Sequence, residues 1–575
     1  MGVGGSVLRV NGSVVEATGM RGAGMLEIVA VGDRRLPGEV IALAGDRATI
    51  QVYEYTGGLR PGEPVTGSGQ PLTAELGPGL MGGVFDGMLR PLASASEFLE
   101  AGAAVGSLSR ERRWAFAPAA IAAGARLAPG SLLGSVPETP AVESHVLVPP
   151  GTAGELEWIA PAGEYTVDQT IARIDGSGIS LSARWPVREP RPHAGRLAAD
   201  VQLITGQRVL DLLYPVAHGS TAAVPGGFGT GKTMVLQQIA KWCDADVIVY
   251  IACGERGNEL ADVLHELRSL IDPRDGRPLL ERTVLIANTS NMPVMAREVS
   301  IHAGLAVAEH YRDMGHDVVV IADSTSRWAE ALRELASRTD ELPAEEGYPA
   351  RLSSAIAAFY ARAGRVRTLA GGDGSVTILG AVSPPGNDLT EPVTAHTRRS
   401  VRCVWSLDRD LAYARHYPAV TWRDSSSRDA EALAVWHAEH GDPDWSERRH
   451  HAIALLDEAD RRQVVADLVG AASLPVSERL TLWAARLLRE LVMRQSALNP
   501  NEAFCGPAKQ AALLRLALDV HDACRELAER GVDAPAVELL GFGDAFRARD
   551  ESGPDEAAAV DAARVDLLAR LDGLR

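Results

Sequence analysis

Cysteine is scarce: Cys243, Cys253, Cys403, Cys505 and Cys524 are the five in 575 residues, and none forms a close pair. An odd count without paired spacing argues against a disulfide framework and a zinc site, and fits a reducing cytoplasm. Basic charge is in deficit as well. The 57 Lys and Arg face 75 Asp and Glu, a net charge of -18, with no long Lys/Arg run. Such a surface repels nucleic acid and anionic lipid, so no nucleic-acid partner is expected. No apolar run reaches the roughly 18 residues a membrane span needs, so no direct membrane insertion is expected. The N-terminus lacks a basic region followed by an apolar core, and no secretory signal is read there. What remains is ordinary for a soluble globular protein, 46% hydrophobic and 23% charged. The length is too great for one core and predicts three or four domains.

The punctuation changes along the chain. Residues 1–70 carry short apolar runs, Leu26 to Val31, Glu39 to Leu43 and Ala48 to Tyr55, separated by Gly, Asp and Pro. This pattern predicts a small β-barrel. Residues 107–190 are again strand-rich, at His145 to Val148, Gly154 to Ile159 and Tyr165 to Ile171. From about 195 to 430 apolar strand-like runs (Val247 to Ala252, Thr283 to Ala287, Val318 to Ala322, Val376 to Gly380) alternate with helical segments at Lys232 to Trp242, Val294 to Met314 and Tyr348 to Ala363. Alternation of this kind predicts a mostly parallel sheet covered by helices on both faces. Beyond about 430 strands give way to helical spacing, as in Leu513, Leu516, Val520, Cys524 and Leu527. The Ala-rich end, Asp555 to Arg575, reads as a last solvated helix.

Gly226-Gly227-Phe228-Gly229-Thr230-Gly231-Lys232-Thr233 matches G-x-x-x-x-G-K-[ST] in full. Glycines let backbone N–H groups turn inward around phosphate oxygens, and the helix that follows presents its N-terminus to the anion. Lys232 is expected to reach the β- and γ-phosphates and the Thr233 hydroxyl to bind Mg²⁺. A buried strand, Val318 to Ala322, ends in Asp323, which is expected near the metal. Ser324 to Ser326 follow, so Asp323 could also cap the next helix. Another apolar strand runs into Cys253-Gly254-Glu255-Arg256-Gly257. Glu255, in a glycine-flanked turn at a strand end, can orient or deprotonate water. Arg256 could anchor that loop or sense the phosphate. Taken alone, Glu255 and Arg256 would be a surface ion pair; beside a phosphate loop they point to nucleoside triphosphate hydrolysis or synthesis.

These segments, with Asn288 to Pro293, Asp323 to Glu334 and Gly380 to Gly386, closely resemble the catalytic alpha-chain (A-type) subunits of V/A-type rotary ATPases. The resemblance is clear over about 1–430 and weaker over 430–520, and takes in Trp185 to Arg188, Leu203 to Arg208, Ile50 to Glu54 and Glu75 to Gly79. It implies a multidomain α/β chain: an N-terminal β-barrel at 1–70, a RecA-like P-loop nucleotide-binding domain at 71–106 and 191–430, a strand-rich insertion at 107–190, and a C-terminal helical domain at 431–575. It implies ATP/ADP and Mg²⁺ as ligands. It implies a non-catalytic B subunit that alternates with this one in a hexamer and supplies an arginine finger. Central-stalk and peripheral-stalk subunits and a membrane rotor sector, carrying H⁺ or Na⁺, would complete the complex on the cytoplasmic face of a membrane. By the same resemblance Tyr417, in His416-Tyr417-Pro418, stacks on adenine and Phe504 lies on the adenine side.

The sequence departs from the family pattern in places. Thr230 stands where Cys is common, so thiol-based control is not expected there. Ala355, Ala358 and Ala361 stand where charged residues are usual, and Leu498 replaces a usual Phe, with Phe504 nearby. Two alternatives are a hexameric secretion-type ATPase and a nucleotide-binding regulatory subunit that does not hydrolyse. The insertion and Ser383-Pro384-Pro385-Gly386 weigh against the first, and the intact loop, Glu255 and Asp323 against the second. A RecA-like helicase is disfavoured by the acidic charge.

Overall fold

The computed structural model describes residues 3–92, 102, 106–272, 274, 276–338 and 341–574. Parts of the expected domains therefore lie outside the described residues: 1–2 of the barrel, 93–101, 103–105, 273, 275, 339 and 340 of the nucleotide domain, and 575 of the helical domain. The chain folds as two compact units. The first comprises Met1–Ala198, Ala245–Val382 and Thr390–Ser400; the second comprises Ala199–Asp244, Ser383–Leu389 and Val401–Arg575.

In the first unit six strands close into a barrel, in the order Gly4–Asn11, Val14–Thr18, Arg47–Val52, Leu36–Ala44, Glu27–Val31, Pro64–Pro71. Alternation sends Val7, Val15, Ala17, Val29, Val31, Val40, Ile50 and Val52 into one core. The segment after residue 107 builds two four-stranded sheets around Leu133, Val136, Leu156 and Ile171. Glu138 anchors it: its carboxylate accepts from the N–H groups of Gly79 (2.7 Å) and Met81 (2.9 Å) and from the Tyr311 hydroxyl (3.1 Å).

The rest of this unit is the expected parallel sheet. Its strands run Asp373–Val382, Asp317–Asp323, Val247–Glu255, Thr283–Thr289, Val84–Phe85, each parallel to the next. Val247 to Gly254 is buried at every residue, as in a strand covered on both faces. Helices Val294–Asp313 and Thr325–Arg338 pack on this sheet. The helix expected from Tyr348 begins only at Leu352 and ends at Tyr360. Pro349 disfavours the helical region for Tyr348, which is extended, and delays the first turn.

In the second unit the buried strand Thr221–Pro225 pairs in parallel with Cys403–Val404 and leads into helix Lys232–Trp242. The last short strand is Ser426–Ser427. Beyond it helices Trp445–Val469, Val476–Leu488 and Pro507–Glu529 share a core that includes Leu455, Ala484, Leu487, Leu513, Leu516 and Val520. The C-terminal helix, Ala558–Asp572, is less solvated than its composition suggests. Val560, Leu567 and Leu571 are buried on one face, which packs on Pro507–Glu529 and is pinned by an Arg564–Asp519 ion pair at 2.6 Å. The period of these three apolar residues outweighs the polar background of the segment.

Candidate active site

The phosphate loop belongs to the second unit. Strand Thr221–Pro225 ends where Gly226 begins, and the chain turns at Gly229 (φ 79°) and Gly231 (φ 90°) before the helix starts at Lys232. Both are left-handed positions that favour glycine. Gly226 is confined instead by crowding: a Cβ there would lie 2.6 Å from Thr230 Oγ1 and 2.9 Å from Leu407 Cβ. Thr230 is buried, and its hydroxyl donates to the Gly227 carbonyl at 2.8 Å, closing the loop on itself. Lys232 Nζ donates to the carbonyls of Gly226 (2.7 Å) and Gly227 (2.9 Å), which holds its ammonium over the loop. Thr233 follows in the first turn of the helix, and Phe228 at the tip is 89% exposed.

Around the loop the same unit gathers aromatic side chains. Tyr417 is 46% exposed, and its ring edge would lie 3.8 Å from a Cβ on Gly231. The carbonyl of Tyr417 accepts from the N–H of Gln495 at 2.8 Å. Gln495 Nε2 in turn donates to the carbonyls of Gly206 and Glu502, both at 2.7 Å, and its Oε1 accepts from Arg208 N at 2.8 Å. Phe504 stacks on Trp242 of the loop's helix, with ring centroids 5.5 Å apart, and covers Gly206, where a Cβ would lie 2.3 Å from the ring. Leu498 is 94% exposed. The structure therefore links Tyr417 and Phe504 through Gln495 and Gly206.

Sequence reasoning missed the support beneath these residues. Buried Asp211 accepts from Thr205 N (3.0 Å), Thr205 Oγ1 (2.6 Å), Gly206 N (2.9 Å) and Gln510 Nε2 (2.9 Å). Burial pushes its carboxyl up to about 6, against those hydrogen bonds. Arg208 is fully buried and forms a two-pronged pair with Glu502 at 2.7 and 2.8 Å. The Leu203 to Arg208 segment was a visible signal; its distant partners Glu502 and Gln510 were not.

The acidic residues belong to the first unit and end adjacent parallel strands. Asp323 is the last residue of Asp317–Asp323 and pairs in register with Ala252, three residues before Glu255 at the end of Val247–Glu255. Asp323 is buried, and Tyr250 Oη donates to its Oδ2 at 3.2 Å. Gly254 (φ 72°) is the extra residue of a bulge between the pairs Cys253–Asn288 and Glu255–Thr289. A Cβ on Gly254 would meet Arg327 Cβ at 2.9 Å and Arg297 Cδ at 3.0 Å. Burial, the charge of Asp323 and the neighbouring Glu259 push the Glu255 carboxyl up to about 8, while Arg327 pulls the other way. Arg256 is exposed and starts helix Gly257–Ser269; its guanidinium stands 3.9 Å from Glu259. Asp323 and Glu255 thus share one strand-end edge, and the crowded Gly254 turn sets the direction of Glu255.

Four segments match known families. Residues 206–427 match the ATP synthase alpha/beta family, nucleotide-binding domain, and 105–188 the ATPsynthase alpha/beta subunit barrel-sandwich domain. Residues 7–69 match the ATP synthase alpha/beta family, beta-barrel domain, and 434–534 the C-terminal domain of V and A type ATP synthase. The V-type ATP synthase alpha chain of Nitrosococcus oceani is 51% identical, over 95% of this chain and 93% of its own. The corresponding A-type ATP synthase chain of Methanopyrus kandleri is 50% identical over 93% of this chain and 92% of its own. The V-type ATP synthase alpha chain of Anaeromyxobacter sp. (strain K) is 50% identical over 99% of both. Among solved structures, the assembled ATPase EscN from the enteropathogenic E. coli type III secretion system shares the fold, with a TM-score of 0.65 at 19% identity, covering 89% of this chain and 100% of that one. At near full length and half identity, with four matched segments in order, this chain belongs to the family of alpha chains of V-type and A-type ATP synthases.

Proposed function

We propose that this chain is the catalytic subunit of a V/A-type rotary ATPase or ATP synthase, making or hydrolysing Mg-ATP. The observation that carries the reading is the pair of carboxylates, Glu255 and Asp323, ending adjacent parallel strands in a chain that also bears a complete phosphate loop. Ligands of open α/β sheets gather at that strand-end edge. The loop backbone of Gly226 to Gly231 surrounds the phosphates, and Lys232 carries positive charge to the β- and γ-groups. Thr233 and Asp323 offer the hard oxygen donors that Mg²⁺ prefers. The Tyr250 bond to one Asp323 oxygen fits such a role, because it restrains the carboxylate. Bound there, the metal would neutralise phosphate charge.

Glu255 orients the attacking water and takes its proton, and Arg256 anchors the turn beside it. The raised affinity of Glu255 for a proton suits a base working near neutral pH. Tyr417 lies against the adenine face, with Phe504 alongside. We read the domains as 1–70, 71–106 with 191–430, 107–190 and 431–575. A non-catalytic B subunit supplies the arginine that completes charge stabilisation, and stalk subunits join the pair to a membrane sector for H⁺ or Na⁺. The chain itself is peripheral, on the cytoplasmic face; among the described residues no helix is long and apolar enough to cross a membrane. The secretion-type reading has a shared fold behind it and no more.

Affinity purification of the tagged chain from its own cells tests the assembly. Recovery with stalk proteins and a B-type subunit, and ATPase activity that falls when they are stripped, is expected. Recovery as a fully active monomer contradicts the reading.

A further inference from the structure

Helices Trp445–Val469 and Pro507–Glu529 of the second unit bring together three side chains that bind metals: His451, His521 and Asp522. His451 Nε2 lies 2.9 Å from His521 Nδ1. Asp522 Oδ1 lies 3.8 Å from each of these nitrogens. Among the described residues this is the one group of His, Cys, Asp or Glu whose ligand atoms all fall within 4.8 Å of one another. None of the three takes part in the nucleotide chemistry described above. His521 is buried, His451 half-buried and Asp522 exposed, so the group has a fixed inner wall and an open mouth.

A hydrogen bond between two neutral imidazoles accounts for the 2.9 Å contact by itself, and a carboxylate oxygen of Asp522 lies 3.8 Å from both nitrogens. The ring centroids, 5.1 Å apart, show the two imidazoles nearly end to end in this hydrogen bond; once the half-buried His451 ring swings, two nitrogens at that separation subtend about 90° at an ion roughly 2.0–2.1 Å from each. That is the cis angle of a tetragonal or octahedral centre, and smaller than the ~109° of a tetrahedral one. The nitrogens come from different helices, so helix packing sets their spacing in advance. Asp522 is at the surface and can rotate one oxygen inward. Arg525 Nη1 stands 3.8 Å from Asp522 Oδ1 and competes for it, yet the Arg525 side chain is 64% exposed and can turn to solvent. Imidazole donors suit late first-row cations and discriminate against Mg²⁺.

From this geometry we infer that His451, His521 and Asp522 form a surface site for a late first-row divalent cation, with Ni²⁺ and Cu²⁺ preferred to Zn²⁺. Bound there, the ion would clamp one helix of the C-terminal bundle to the other, stabilising the folded form by an amount that grows logarithmically with the free ion concentration above Kd.

The test is calorimetric titration of Ni²⁺ into the chelator-treated full-length chain and two variants. His451→Ala changes a half-buried position and Asp522→Asn one that is 53% exposed, and circular dichroism reports whether each folds as the parent does. His451→Gln replaces His451→Ala should the latter misfold. One Ni²⁺ per chain is expected, weakened at least tenfold by His451→Ala and measurably by Asp522→Asn. Cu²⁺ is expected to give a visible absorption band that His451→Ala abolishes. No binding by the parent overturns the site, as does binding that His451→Ala leaves intact. Binding that ignores Asp522→Asn overturns the three-ligand assignment.

Discussion

Tyr250 Oη donates a 3.2 Å hydrogen bond to Asp323 Oδ2, from one buried strand to the end of its neighbour. If Asp323 holds Mg²⁺ as proposed, Tyr250 acts on that site through it. Outer partners of this kind typically shift metal affinity by about 10–100-fold when removed. Tyr250→Phe should raise the Mg²⁺ concentration for half-maximal ATPase activity by about tenfold, with a smaller change in turnover at saturating Mg²⁺. An Mg²⁺ titration of the assembled complex reads this. An unchanged Mg²⁺ requirement would remove Tyr250 from the site.

Thr230 closes the phosphate loop with its own hydroxyl, which donates to Gly227 O at 2.8 Å. A lost neutral hydrogen bond is worth about 1 kcal/mol. Thr230→Val keeps the shape and should weaken nucleotide binding by about fivefold, while Thr230→Ser should retain it. Calorimetric titration with ADP distinguishes the two. Equal affinities for both variants would show that the hydroxyl does not matter.

Gly254 cannot carry a side chain without cost. Its φ is 72°, and a Cβ would press on Arg327 and Arg297. Gly254→Ala should cost roughly 1–3 kcal/mol in local strain and turn Glu255 away from its direction. Turnover should fall far more than nucleotide affinity, a split that steady-state kinetics and binding read separately.

The ionisation of Glu255 gives a pH signature. Burial and the charge of Asp323 raise its folded pKa, with Glu259 adding to both. Below that value the ionised, base-competent fraction falls about tenfold per pH unit, so kcat/KM should climb as pH rises through it. Glu259→Gln removes a negative neighbour and should move this acid limb to lower pH. A limb that stays in place or moves upward would separate it from Glu255.

Much of this was legible in the chain. The phosphate loop, the buried runs ending at Glu255 and Asp323, and helix Lys232–Trp242 follow from local spacing and glycine placement. The runs were read short: Val247 to Ala252 continues to Glu255 because a bulge at Gly254 keeps the strand paired. Bulges leave no periodic signal. The Asp211 and Gln495 networks were not legible, because their partners lie up to 299 residues away in sequence. The burial of Val560, Leu567 and Leu571 hid behind the alanine-rich background of the last helix. Thr230 was read from the sequence for the thiol it lacks, and its hydroxyl is a hydrogen-bond donor within the loop.

Glu255 is proposed as the base of ATP hydrolysis, in a chain that carries the phosphate loop at Gly226 to Thr233. The most direct test compares Glu255→Gln with the parent in the assembled complex, measuring nucleotide affinity and turnover side by side. Removing a positioned general base typically costs about 10²–10⁴ in rate. For Glu255→Gln a loss of that size in ATP turnover is expected, with nucleotide affinity held within about threefold. Turnover at the parent's rate would contradict it.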